Sequence, residues 1–380
     1  MIAHIGLRGG SAAFGGVAIA LLCGTWWSLE GNPGLDPDLV LAAKLVRQLG
    51  HDDFDRREEA ELGLVKLGEI SLSFLHAAAS DRDLEVARRA VELSHTILLT
   101  LRNSPVLKLR MEVIEPAKYW IGSPANETSC RPDETRHEVH LKRAALLGKY
   151  EVTQGEYNKV MKLSPSWFSR TGNGKDRVLG MELERFPVEQ VTWFDAIDFC
   201  NRLSEMEGFR PHYKFADEQR ERGSIHTATV AVTGGNGYRL PTEAEWEVGC
   251  RAGTASAYHF GRENTGREAN LKPGPPIGYG GSPSWTPLNR TTTVGSYKPN
   301  DFNLCDMHGN VAEWVADWYD KDYFANSPLD DPPGPKTGTH RVVRGGSWMV
   351  PEGNSRASSR LPVSPNEVKE TIGFRVARTP

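Results

Sequence analysis

The 380-residue chain has little cysteine, no surplus of positive charge and no long apolar run. Each shortage excludes something. Cys23, Cys130, Cys200, Cys250 and Cys305 contain no C-x-x-C pair and no zinc-type spacing, so neither a zinc module nor a disulfide framework can be read from them. The net charge is −4 and the arginines are scattered without a basic stripe, which argues against nucleic acid as a partner. The apolar stretch from about Ala12 to Trp27 follows Arg8 and falls short of the roughly 20 residues of a membrane span. It reads instead as a signal peptide or signal anchor over residues 1–28, placing the rest of the chain outside the cytoplasm, exported or N-terminally anchored. Any membrane contact is then expected only through this segment.

Glycine (38) and proline (24), by contrast, are plentiful, and eight of the ten tryptophans follow Tyr119. The later two-thirds should hold a loop-rich, aromatic core rather than a helical bundle. Ahead of it, residues 35–103 read as helix, with Leu39, Ala42, Ala43, Val46 and Leu49 at helical spacing. "DDFDRREEAELGLVKLG" and "DRDLEVARRAVELSHTILL" open on acids and carry an arginine pair each, as in HEAT-type helical hairpins. A plain appendage of three or four helices reads equally well. The segment "RNSP", Arg102 to Pro105, is the expected linker.

Strand-like residues follow, Met111, Val113 and Ile114, broken by Pro116. His137 and His140 are an odd number of residues apart and point to opposite faces of a strand, which disfavours a shared metal. Thr153–Glu156, Thr192–Asp195, Thr242–Glu245 and Asn310–Glu313 each set a capping side chain three residues before a carboxylate, marking four helix starts. The second helix is expected over Trp193–Met206 with Cys200 on its buried stripe, and the third to stop near Gly253.

The ordered strings "GKYEVTQGEYNKVM", "FPVEQVTWFDAIDFCNRLS", "GYRLPTEAEWEVGCRAGT", "NLCDMHGNVAEWVADWY", "RVVRGGSW" and "IGFRVA" closely resemble the sulfatase-modifying factor family, which includes the formylglycine-generating enzyme. The resemblance covers about residues 108–379. It implies an α+β fold of the C-type-lectin-like, formylglycine-generating-enzyme kind with little regular secondary structure, preceded here by the small all-α segment. Laid on "DMHGNVAE", it implies a calcium site built from the side chains of Asp306 and Glu313 and the carbonyls of Gly309 and Val311, hard oxygen donors that suit that ion. A second family site would use Asn270 and Leu271, for which no acidic partner follows.

In the same family the segment after "GGS" carries two cysteines that bind copper(I) and support oxidation of a substrate cysteine to formylglycine. Copper(I) selects soft thiolates. Here the matching positions are Val350 and Ser355, neither of which supplies one. The expectation is a domain without copper and without an intact catalytic set, acting as a calcium-stabilised binding or accessory module for a peptide, protein or glycan, a sulfatase-type protein among them. Ser347, Trp348, Asn354, Arg356 and Arg360 are the candidate ligand-binding residues, with a core aromatic and an internal salt-bridge network as the competing reading of Trp348 and the arginines. The alternative function is a divergent formylglycine-generating oxidase acting on a cysteine of a sulfatase-type substrate.

Overall fold

A computed structural model describes residues 36–127, 129–274 and 285–380. The apolar N-terminal stretch lies outside the described residues. Among those described, no helix is long and apolar enough to cross a membrane. The chain divides into two compact units, one ending at Leu101 and one spanning Arg102–Thr379.

Among the described residues the first unit has four helices, α1 (Pro37–Gln48), α2 (Phe54–Leu67), α3 (Glu69–Ala78) and α4 (Leu84–Thr100). Asp36, Asp53 and Asp83 cap α1, α2 and α4 by accepting from amides of the first turn. Ala42, Ala60, Leu64, Phe74 and Ala90 are fully buried, and the small alanines let the helices approach closely.

The second unit mixes short strands with long loops. One sheet has the order β1 (Met111–Ile114), β4 (Ala145–Gly148), β12 (Ala377–Arg378), β7 (Tyr238–Arg239), all antiparallel. A second has the order β10 (Leu361–Val363), β9 (Arg341–Arg344), β8 (Ala312–Trp318), β11 (Ile372–Phe374), with β11 parallel to β8. Two hairpins complete it, β2 (Ala117–Ile121) with β3 (His137–Leu141), and β5 (Tyr213–Glu221) with β6 (Ser224–Val232). The final "IGFRVA" supplies β11 to one sheet and β12 to the other, so Arg375 lies where the chain passes between them.

Three of the four expected helix starts are capping boxes. Thr153, Thr192 and Thr242 each accept from the N3 amide while Glu156, Asp195 and Glu245 reach back, opening α5 (Gln154–Met161), α6 (Trp193–Met206) and α7 (Glu243–Arg251). Ala252 and Gly253, both in left-handed backbone, end α7. A short α8 (Tyr323–Asn326) follows β8.

The fourth start is not a helix. Residues Ala312–Trp318 form β8, in the interior of its sheet. Asn310 has φ 58°, outside the extended range of an N-cap. Its carboxamide donates to Glu151 at 2.6 Å and accepts from the Thr292 amide, while Glu313 binds Arg375 and Trp246. Both supposed capping groups are engaged by distant segments.

Candidate functional site

The backbone of "RGGSW" is folded against the loop before β8. Gly345 accepts from the Gly309 amide at 3.0 Å, and the Trp348 amide donates to Asn310 at 3.0 Å. Gly345 (φ 89°) lies against the Trp246 ring, and a Cβ on Gly346 (φ 70°) would overlap the Ser355 side chain. Left-handed backbone and close approach together require glycine at both positions.

Ser355 is fully buried, its hydroxyl 3.5 Å from the Pro351 carbonyl. Val350 donates its amide to Ser347 and accepts from Lys272. Beneath Ser355 is His308, whose Nδ1 is 2.8 Å from the Ser355 carbonyl and whose Nε2 accepts from the His259 amide at 3.2 Å. That pairing assigns the proton to Nδ1 of a neutral ring. Burial, helped by His259, pushes the His308 pKa down to about 3, and burial pushes His259 down to about 4. The two rings stack at 5.2 Å, with Tyr258 and Phe260 edge-on to His308.

Cys250 comes to this cluster from α7, with Sγ 3.5 Å from His308 Nε2. Burial raises its thiol pKa far above the usual range, the reverse of what activates a thiolate. Cys130, Cys200, Cys250 and Cys305 are all free thiols. Among the described residues no group of three or more His, Cys, Asp or Glu is arranged to hold a metal ion. With valine and serine at 350 and 355, the residues present do not fit copper(I).

Most of the expected ligand-binding residues turn inward, which corrects their reading as an exposed groove. Arg356 ion-pairs with Glu134 at 2.8 Å and with Glu127. Arg360 binds Glu243 through Nε at 2.7 Å and Nη2 at 2.8 Å, with the Phe324 ring 4.1 Å from its guanidinium. Trp348 packs edge-on against Phe168 in a cluster with Val178 and Phe186, and Ser347 is fully buried. Their guanidinium and ring surfaces are already used by the protein. Asn354 alone stays exposed, accepting from Arg131 at 2.7 Å.

The expected calcium residues lie in one loop. Asp306, Gly309 and Asn310 have φ of 57°, 83° and 58°, a turn that winds Asp306 inward to accept from the Gly295 amide. Both oxygens of Glu313 receive Arg375 at 2.6 Å, and Oε2 also accepts from Trp246 Nε1 at 2.8 Å. Glu151, which sequence reasoning did not single out, accepts from the Val311 amide at 3.0 Å. It stands in the quoted "GKYEVTQGE", where its charge among apolar neighbours was the available signal.

Glu151, Asp306 and Glu313 are all buried, and Arg375 is the guanidinium acting on all of them. Fully ionised, three negative charges against one positive leave a surplus of two. Burial, then Asp306 and Glu313, pushes the Glu151 carboxyl well above its ordinary value, and burial pushes Asp306 up to about 6. Carboxylate oxygens are the donor type a divalent cation such as calcium takes, but in this arrangement both Glu313 oxygens are occupied by Arg375 and the three carboxylates do not form a metal-holding group.

Residues 105–380 match the sulfatase-modifying factor enzyme 1-like domain. The chain therefore belongs to the sulfatase-modifying factor family. It is 32% identical to "Chaperone protein LppX" of Paenibacillus barcinonensis over 251 residues, 61% of this chain and 79% of that protein. It is 39% identical to the formylglycine-generating enzyme of Thermomonospora curvata over 162 residues, 40% of this chain and 52% of the enzyme. The chain thus spans about half of that relative. Among solved structures, Treponema denticola variable protein 1 superposes with a TM-score of 0.59 at 30% identity, covering 73% of this chain and 98% of that one.

Proposed function

We propose that the Arg102–Thr379 unit is a binding or accessory module, built on the family scaffold without its copper oxidase chemistry. The observation that carries this reading is the pair Val350 and Ser355, with Ser355 sealed under Gly346 where a copper ligand would be required. Cys250, the thiol that meets His308 beneath Ser355, is buried and held protonated. The ligand class is a peptide, protein or glycan, a sulfatase-type protein included. The relative named a chaperone supports an accessory role toward a protein client.

Calcium belongs to the proposal as a structural ion. Asp306 and Glu313 would hold it with the Gly309 and Val311 carbonyls, and it would balance the buried carboxylates. The N-terminal apolar segment would direct the chain to an extracytoplasmic compartment or anchor it there.

The decisive experiment incubates the full chain with copper(I), oxygen and a peptide carrying the sulfatase cysteine motif, and follows the peptide by mass spectrometry. The cysteine is expected to remain intact. Conversion to formylglycine would replace the binding reading with that of a divergent oxidase.

A further inference from the structure

A second surface lies on the β2–β3 hairpin, away from positions 350 and 355 in sequence and in lining. A cavity of about 230 Å³ is lined by Lys118, Tyr119 and Trp120 of β2, by Arg136, and by the end of α7 at Arg251 and the turn at Gly253. Successive residues of a strand point to opposite faces, so a cavity lined by 118, 119 and 120 together runs along the edge of β2.

That edge is open. Among the described residues, β3 is the only strand beside β2, and no backbone hydrogen bond outside the hairpin reaches residues 117–121. An exposed edge is a template for another strand unless it is blocked. No proline interrupts Ala117–Ile121, and its only charge is Lys118. Lys118 and Trp120 share a face of β2, and Arg136 lies over the Trp120 ring at 5.1 Å. Trp120 is 55% exposed. Neither Lys118 nor Arg136 has a carboxylate partner among the described residues, whereas Glu138 on the same face is taken by His140 and Arg251 in the cavity wall by Glu247.

We propose that the β2 edge and its cavity dock an extended acidic peptide segment of a partner protein. The segment adds as a strand to β2, sets an Asp or Glu side chain between Lys118 and Arg136, and lays a neighbouring apolar side chain on Trp120. Main-chain pairing supplies affinity in this mode of recognition, and alternate side chains supply specificity. The two cations select the occupant: they repel a basic strand and attract an acidic one. The inference goes beyond the proposed function, since it holds whether or not the unit oxidises a cysteine.

The test is a positional-scanning array of hexapeptides probed with the full chain at low salt. The expected result is selection of Asp or Glu at one position flanked by β-branched or aromatic residues. Binding of the best peptide should fall at least about tenfold in Arg136→Glu and in Trp120→Ala, both exposed positions whose melting temperature is expected to stay unchanged. N-methylation of alternate amides of that peptide should abolish binding. Absence of any retained peptide, lack of acidic selection, or acidic selection that survives Arg136→Glu would overturn the proposal. So would an N-methylated peptide that binds as well as its parent.

Discussion

In residues 36–101 charge stays at the surface apart from Arg89, which is buried against Glu58, Glu61 and Glu85, while in residues 102–379 several such pairs are built into the core. Arg88 bridges Glu85 and Glu92 with all three side chains about half exposed, and the helices beneath are held by alanine and leucine stripes. In the larger unit Arg344, Arg360 and Arg375 are buried and paired with Glu243, Glu247 and Glu313. The difference follows from backbone regularity. Helices satisfy their own carbonyls, so their core needs only apolar side chains. Long loops do not, and a buried carbonyl requires a donor. The guanidinium, with five donors in a rigid fork, meets that need. Arg344 reaches Ala357 and Ser358 carbonyls, Arg360 those of Asp133 and Asp320, and Arg375 those of Gly148 and Cys305. The glutamates neutralise what the carbonyls orient.

Removing one such arginine should break the comparison most sharply. Arg375→Met leaves Glu313 without its ion-pair partner and strips the carbonyls of Gly148, at the end of β4, and Cys305 of a donor. A loss of about 3–5 kcal/mol in the larger unit is expected by denaturant unfolding, in line with one-sided disruption of a buried pair. A loss below about 1 kcal/mol would show that the loops do not depend on it.

The proposed calcium site comes next. Chelation should lower the melting temperature of the larger unit and leave the helical unit unaffected, and Asp306→Ala should largely remove that response; for a ligand at a hundredfold its Kd, about 2.7 kcal/mol is at stake. A melting curve indifferent to chelator in the wild type would eliminate the ion.

A smaller effect concerns Glu189, which is fully buried and accepts from the Trp167 and Phe168 amides at 2.9 Å. Burial pushes its carboxyl up to about 8, against 4.5 for the ordinary group. Between those values the folded chain holds a proton that the unfolded chain has released. Stability contributed by this group is therefore present below about pH 4.5, falls as pH rises, and is lost above about pH 8. The stability of wild type relative to Glu189→Gln, measured at pH 5 and again at pH 8.5, should be lower at the higher pH, shifting in favour of the glutamine variant. A constant difference would place the carboxylate in its ionised form throughout.

The smallest effect is expected in the helical unit. Arg88→Ala should leave its unfolding midpoint within error of wild type, because its partners are solvated and screened. A clear shift there would mean that both units rely on ion pairs alike.

Much of the scaffold was legible. Three Thr-x-x-Glu or Thr-x-x-Asp boxes opened helices because hydroxyl, carboxylate and the amides they bind all lie within one turn. The fourth pattern, Asn310 to Glu313, has the same spacing and enters a strand, because Glu151 and Arg375, 159 and 62 residues away, claim its polar groups. Likewise nothing local distinguishes an arginine in a groove from Arg356 or Arg360 turned inward. Their direction is set by Glu134 and Glu243, more than 100 residues earlier in the chain.

By itself, then, the amino-acid sequence determined the family, the capped helices and the absence of thiolates at Val350 and Ser355, since each is a property of a residue or of a single turn. Tertiary structure alone decided which charges are buried, that Glu151 joins Asp306 and Glu313, and that Cys250 meets His308 beneath Ser355. Burial and charge pairing depend on what the folded chain brings alongside, and in this protein those neighbours come from segments remote in sequence.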